Sequence, residues 1–238
     1  MFVEEFCTQL EDSFTFSRQQ GSDFAKQIAG DFNPLHDIDN KRFCVPGDLL
    51  FSLSLARFGI SKSMAFDYQG MVSGETELQF NESTDNISVK DQKDKSYMSV
   101  AREGEICTEP VFVEGLIRSY VAFSGETFPH IIVALMKQEG MMVNAARPMV
   151  IYDNMKLSFN SFTSSAPEVV LKGSKFDVNG KRGMVTMEFD LRAEGESIGS
   201  GEKQIIMSGL RPYQQEGVNL LVEIYDKARD AYFKNLKQ

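Results

Sequence analysis

The chain has 238 residues, 42% of them apolar, with 19 Phe and no Trp; that is enough for one large domain or two small ones around a core of Phe, Met, Leu and Val. Its formal net charge is −9, and its densest basic stretches, Lys172 to Lys175 and Lys181-Arg182, are short, which argues against a phosphate-neutralising nucleic-acid surface. Three widely spaced cysteines, Cys7, Cys44 and Cys107, without a CxxC, argue against a disulfide scaffold or zinc knuckle and read as free thiols in a reducing compartment.

The N-terminal segment MFVEEFCTQLEDSF is acidic rather than basic, so it does not read as a signal peptide. The apolar run Ile131 to Met136 is too short to span a bilayer. A cytoplasmic protein with no membrane partner is expected.

In chain order, Ser17 is placed to cap a helix over RQQGSDFAKQIA, whose Phe24, Ala25 and Ile28 share one face. Gly30 stops it. The segment GDFNPLH follows, with Asp31, Asn33 and His36, one of two histidines, within a few positions. Val45-Pro46-Gly47-Asp48 opens a second helix, to Phe58, that is apolar on nearly every side and therefore belongs inside a core. From about residue 64 to 123 short segments alternate with turn signals and predict a sheet: 64–68, 75–80, 87–90, 97–102 and 111–123. Phe128-Pro129-His130 then opens another apolar helix, 131–137, and residues 150–207 again read as strands. Val185, Met187, Phe189 and Leu191 alternate with polar residues at period two, and Asn179-Gly180 supplies a hairpin turn before them. An amphipathic helix from about Gln215 to Leu236 closes the chain, with Leu221, Ile224, Tyr225, Ala228 and Tyr232 on one face.

Each half thus offers a buried helix followed by several strands. At Gly30, Asp31, Asn33, Pro34, Leu35 and His36, followed by Gly47 at the start of the apolar helix, the chain resembles the MaoC-like (R)-specific enoyl-CoA hydratase/dehydratase family, as a divergent member. The close resemblance spans roughly residues 16 to 56. It implies an α+β hotdog fold, a long helix wrapped by a curved antiparallel sheet, here as two tandem units. Residues 1–122 would form the first unit, carrying the Asp/His motif. Residues 123–238 would form a second, degenerate unit with the C-terminal helix.

The resemblance further implies hydration of trans-2-enoyl thioesters to (R)-3-hydroxyacyl thioesters, or the reverse, on coenzyme A or an acyl carrier. Asp31 and His36 would be catalytic and Gly47 would lie in the oxyanion hole. No cofactor or metal is expected, and the assembly would be a monomeric double hotdog or a homodimer. The residues suit that chemistry. An imidazole and a carboxylate flanking one water can perform both proton transfers. Asn33 and Pro34 would hold the loop so that the pair converges. The N-terminus of the buried helix would support a developing enolate at Gly47. Arg57 and Lys62 are weaker candidates for coenzyme A phosphates.

The same residues also have a purely structural reading. Asp31 would cap a short turn, Asn-Pro would start it, and His36 would be a hydrogen-bonded loop residue. The chain departs from the family pattern at Pro46, at Asp48, at Leu55 and in having only ten residues between His36 and Gly47. A non-catalytic acyl-thioester binding protein, or an acyl-CoA thioesterase using Asp48, are the competing functions.

Overall fold

The structure is a computed structural model and describes residues 1–235. A 3-10 turn, Phe2–Phe6, precedes two short strands, β1 (Thr8–Gln9) and β2 (Phe14–Thr15), and helix α1 (Arg18–Asp23), which runs into a π-helical turn, Phe24–Ala29. After a 3-10 turn at Pro34–His36 come α2 (Gly47–Phe58), β3 (Ile60–Tyr68), β4 (Leu78–Glu82), β5 (Asn86–Asp91) and β6 (Ser96–Cys107). The second half contains α3 (Pro110–Gly125), a π-helical turn at Thr127–Ile131, α4 (Ile132–Gln138), β7 (Met141–Met142) and β8 (Val150–Phe159). It continues through β9 (Glu168–Asn179), β10 (Arg182–Ala193), β11 (Glu196–Ser208), β12 (Arg211–Pro212) and α5 (Gln215–Asn235).

Ten strands form one sheet in the order β1-β2-β4-β5-β6-β3-β8-β11-β10-β9. In the first half the strand that precedes α2 lies at one side, the strand that follows α2 lies at the other, and a three-stranded meander fills the gap. The second half repeats this order without its first strand. The halves join where β3 pairs antiparallel with β8, from Ser63↔Ser158 to Asp67↔Asn154. A buried helix on each half of such a sheet is the hotdog architecture, and the fold is α+β.

The packing follows from the sequence pattern. Leu49, Leu50, Phe51, Leu53 and Leu55 of α2 are all buried, and so are Ser52 and Ser54 between them. These serines are accommodated because each hydroxyl donates to a carbonyl of its own helix, Asp48 O at 2.6 Å and Phe51 O at 2.8 Å. Along β10, Val185, Met187, Phe189 and Leu191 turn inward as their alternation predicts. Gly180 takes a φ of +58° in the β9–β10 turn.

One segment differs from expectation. Residues 111–123, read as a strand, lie in helix α3. Phe112, Val113, Leu116, Ile117, Tyr120, Val121 and Ser124 are buried at helical spacing, and Pro110 occupies the first turn, where its missing N–H costs nothing. The β-branched content of the segment masked this period. Residue 122, expected to end the first unit, therefore lies inside a continuous helix. The chain crosses between the halves from Cys107, the end of β6, to Pro110, the start of α3. Among the described residues, no helix is long and apolar enough to cross a membrane.

Candidate active site

The GDFNPLH segment is built by local hydrogen bonds. Ser17 and Gln20 form a reciprocal capping box at the start of α1. Gly30, at φ +66°, ends the following turn. Asp31 Oδ1 accepts the Asn33 N–H at 2.9 Å, and Asn33 Oδ1 accepts the Leu35 N–H at 3.1 Å, so two successive Asx turns wind the chain into the 3-10 turn that carries His36. Asn40 Nδ2 donates to Pro34 O at 2.6 Å, and the Arg18 guanidinium donates to Ile38 O and Asn40 O.

His36 Nδ1 lies 2.7 Å from Cys44 O. A carbonyl oxygen only accepts, so Nδ1 carries the proton there and Nε2 is left facing Asp31. The Nε2 to Asp31 Oδ2 distance is 3.6 Å, and the two side chains are only 12% and 20% exposed. That separation is too long for a direct hydrogen bond, and it leaves both atoms free to bond one water that sits to the side of the line joining them. Burial pushes the Asp31 carboxyl above the usual range, opposed by His36 and by the Asn33 amide.

Asp31 and His36 line a cavity of about 730 Å3, together with Gly47, Tyr68, Ser124 and Tyr152. Much of its remaining wall is apolar and comes from both halves, including Leu50, Phe128, Ile132, Val143, Ile205 and Leu221. At Gly47 a Cβ would stand 3.1 Å from Tyr68 Cε1 and 3.4 Å from Tyr152 Cδ2, so glycine permits this close approach of backbone and rings. Pro46 offers no side-chain cap, and the Gly47 N–H has no acceptor among the described residues. The positive end of α2 is thus exposed to the cavity wall.

Sequence reasoning singled out Asp48 but missed the buried polar group it joins. Asp48 is buried, and its Oδ2 accepts from Ser124 Oγ at 2.5 Å and from Tyr152 OH at 3.3 Å. It neither caps α2 nor lines the cavity. Lys203 Nζ donates to Ser124 Oγ at 2.5 Å and sits 3.7 Å from the Tyr152 ring centroid. Burial lowers the Lys203 ammonium to about 8, opposed by Asp48 and Asp31. The one signal in the sequence was a lysine in register with inward-facing Ile205 and Met207 on a strand of period two.

Gly125 explains how α3 brings Ser124 to the motif. A Cβ there would lie 1.7 Å from Ala29 O, so only glycine allows the end of α3 to abut the turn that precedes Asp31. On the other side, α5 covers the motif: Phe32 packs edge-on against Tyr225 and Tyr232, and Tyr225 OH bonds Gly30 O.

Arg57 and Lys62 are not part of the cavity wall. Arg57 is near the C-terminal end of α2, ten residues or about 15 Å of helix from Gly47, where it bonds Gln9 and lies over the rings of Phe14 and Phe80. Lys62 contacts Asn160 O and Glu105. His130 is exposed in the π-helical turn before α4.

The family described as "Protein of unknown function (DUF3581)" matches residues 1–216. The chain belongs to this family. No curated protein matches it. Among solved structures the chain is similar to a conserved protein with a hot dog fold from Alicyclobacillus acidocaldarius, at 9% identity and a TM-score of 0.47 over 90% of this chain and 99% of that one. It is also similar to a MaoC-like dehydratase, at 10% identity and a TM-score of 0.44 over 85% and 99%. A third is an acyl-CoA thioesterase II from Mycobacterium marinum, at 10% identity and a TM-score of 0.44 over 90% and 100%. Likeness this distant says nothing of the activity of this DUF3581 member, whose hotdog architecture rests on its own strand order.

Proposed function

We propose that the chain hydrates trans-2-enoyl thioesters to (R)-3-hydroxyacyl thioesters, or dehydrates them, with Asp31 and His36 acting on one water. The observation that carries this reading is the 3.6 Å pairing of His36 Nε2 with Asp31 Oδ2 on the wall of a large, mostly apolar cavity. With Nδ1 engaged by Cys44 O, Nε2 is the basic nitrogen, and a water bonded to both side chains has an acceptor for its proton on either side. The raised Asp31 carboxyl brings its proton affinity closer to that of the imidazole, so the pair can take a proton from water and return one to the α-carbon. The Gly47 amide and the positive end of α2 are placed to hold the thioester oxygen as enolate charge develops. The acyl chain occupies the apolar part of the cavity. The carrier is coenzyme A or an acyl carrier.

The test follows the loss of the conjugated double bond in enoyl-CoA thioesters of several chain lengths. Wild type is expected to consume them, and Asp31→Asn and His36→Ala each to lose about a hundredfold or more in rate. No consumption by wild type at any chain length refutes the reading.

A further inference from the structure

Ser124 stands where three buried groups meet. Its Oγ lies 2.5 Å from Asp48 Oδ2, from Tyr152 OH and from Lys203 Nζ. Lys203 is 1% exposed and has three N–H bonds to place, yet Ser124 Oγ is the one hydrogen-bond acceptor it reaches among the described residues. Among the described residues, no carboxylate lies within ion-pair distance of it. Around the same point Asp48 Oδ1, Tyr68 OH and Tyr120 OH are buried without partners. A lysine and an aspartate kept only for stability would be fully paired, because each open buried polar atom carries a desolvation cost. Here the open atoms surround Ser124, a residue of the cavity lining whose hydroxyl accepts from the lysine.

We propose that Ser124 is a nucleophile served by Lys203, and that the cavity carries a second activity, hydrolysis of acyl thioesters or esters through an acyl-serine. Lys203, in its neutral form, takes the hydroxyl proton as Ser124 Oγ bonds the carbonyl carbon. The C–S bond then breaks, and the leaving thiolate takes that proton from the Lys203 ammonium. Water repeats the sequence on the acyl-serine: one proton passes to Lys203, the water oxygen bonds the acyl carbon, and Ser124 Oγ leaves with the proton returned. Burial keeps the neutral amine accessible near neutral pH, at about 8. The Asp48 carboxylate accepts from Ser124 Oγ and holds it in place, and its charge favours the ammonium as it forms. None of these steps uses Asp31 or His36.

The experiment treats the full chain with a fluorophosphonate, whose phosphorus bonds a nucleophilic serine oxygen as fluoride leaves, and maps the adduct by peptide mass. Labelling is expected at Ser124, with a rate that rises with pH and levels above about 8, the value burial gives Lys203 against the charges of Asp48 and Asp31 and beside Tyr120 and Tyr152. Lys203→Gln should slow labelling by about a hundredfold or more. In parallel, free thiol is followed with saturated acyl-CoA, which has no double bond to hydrate, so its outcome is separate from that of the hydratase reading. Thiol release should fall to background in Ser124→Ala. Absence of label at Ser124 in wild type, or thiol release at the wild-type rate by folded Ser124→Ala, overturns the proposal. The wild-type mapping decides even if a variant fails to fold.

Discussion

The hydroxyl of Tyr225, on the C-terminal helix, donates to the carbonyl oxygen of Gly30 at 2.9 Å across 195 positions of sequence. The bond ties the last helix of the chain to the residue next to Asp31, and Phe32 packs on the same tyrosine with ring centroids 5.8 Å apart. Helix α5 therefore acts as a clamp on the motif as well as part of the cavity wall. Tyr225→Phe keeps the ring and removes the bond. It should cost about 0.5–1.5 kcal/mol in urea unfolding, while Tyr225→Ala, which also removes the ring packing, should cost about 3–5 kcal/mol.

The raised Asp31 carboxyl has a consequence for stability. A carboxyl whose folded pKa exceeds its unfolded value holds its proton more tightly in the native state. Asp31 therefore costs no stability below the unfolded value, and the cost accrues as pH rises through the folded one. Asp31→Asn keeps an oxygen for the Asn33 amide and removes the charge. Its melting temperature should exceed that of wild type at neutral pH, and the two should converge in acid. A variant that is more stable yet slower is the pattern expected when a group is retained for chemistry. Equal melting curves at neutral pH would argue against it.

Asn33 holds the 3-10 turn through its side-chain oxygen. Asn33→Asp preserves the acceptor, whereas Asn33→Ala removes it at a cost of about 1 kcal/mol. The alanine variant should lose enoyl hydration out of proportion to that cost, because His36 rides on the turn. Asn33→Asp should lose less. Paired unfolding and rate measurements on the two variants check this.

Gly125 touches backbone rather than side chain, with Ala29 O only 1.7 Å from where a Cβ would stand. Neither neighbour can rotate away, so Gly125→Ala must push α3 off the turn before Gly30. We expect a loss of about 1–3 kcal/mol or more. Displacement of Ser124 should also lower fluorophosphonate labelling. A circular-dichroism melt and the labelling rate together test it.

Asp48 and Lys203 share Ser124 as a bridge. Lys203→Met removes the donor to Ser124 Oγ and a positive charge that Asp48 senses through that hydroxyl, and should cost about 1–3 kcal/mol. Adding Asp48→Asn should recover part of that loss, with a coupling of about 0.5–3 kcal/mol in a double-mutant cycle. Strict additivity would show that the two charges do not sense one another. Raising the pH toward 10.5 should widen the gap between wild type and Lys203→Met. A lysine lowered to about 8 destabilises the native state while the unfolded chain is still charged, and that cost fades as pH climbs.

Features set by neighbours in the chain were legible from sequence. The Ser17 cap, the Gly30 stop, the turn at Asn33, the buried helix from Gly47 and the alternation along β10 depend on contacts within a few residues or on a simple period, and the structure has each of them. The convergence of Asp31 and His36 was readable for the same reason, since five positions of Asx-turned backbone bring them together. Helix α3 was not, because its β-branched residues satisfy a strand preference until packing against α2 and the Phe24–Ala29 turn selects the helical period. The Asp48–Ser124–Lys203 group was beyond reach, since its bonds join residues 76 and 79 positions apart. No local pattern records that a lysine on β11 and an aspartate on α2 share one serine at the end of α3. The pairing of β3 with β8 and the close contact at Gly125 put them together, and burial then shifts Lys203 and makes the hydroxyl between them chemically distinct.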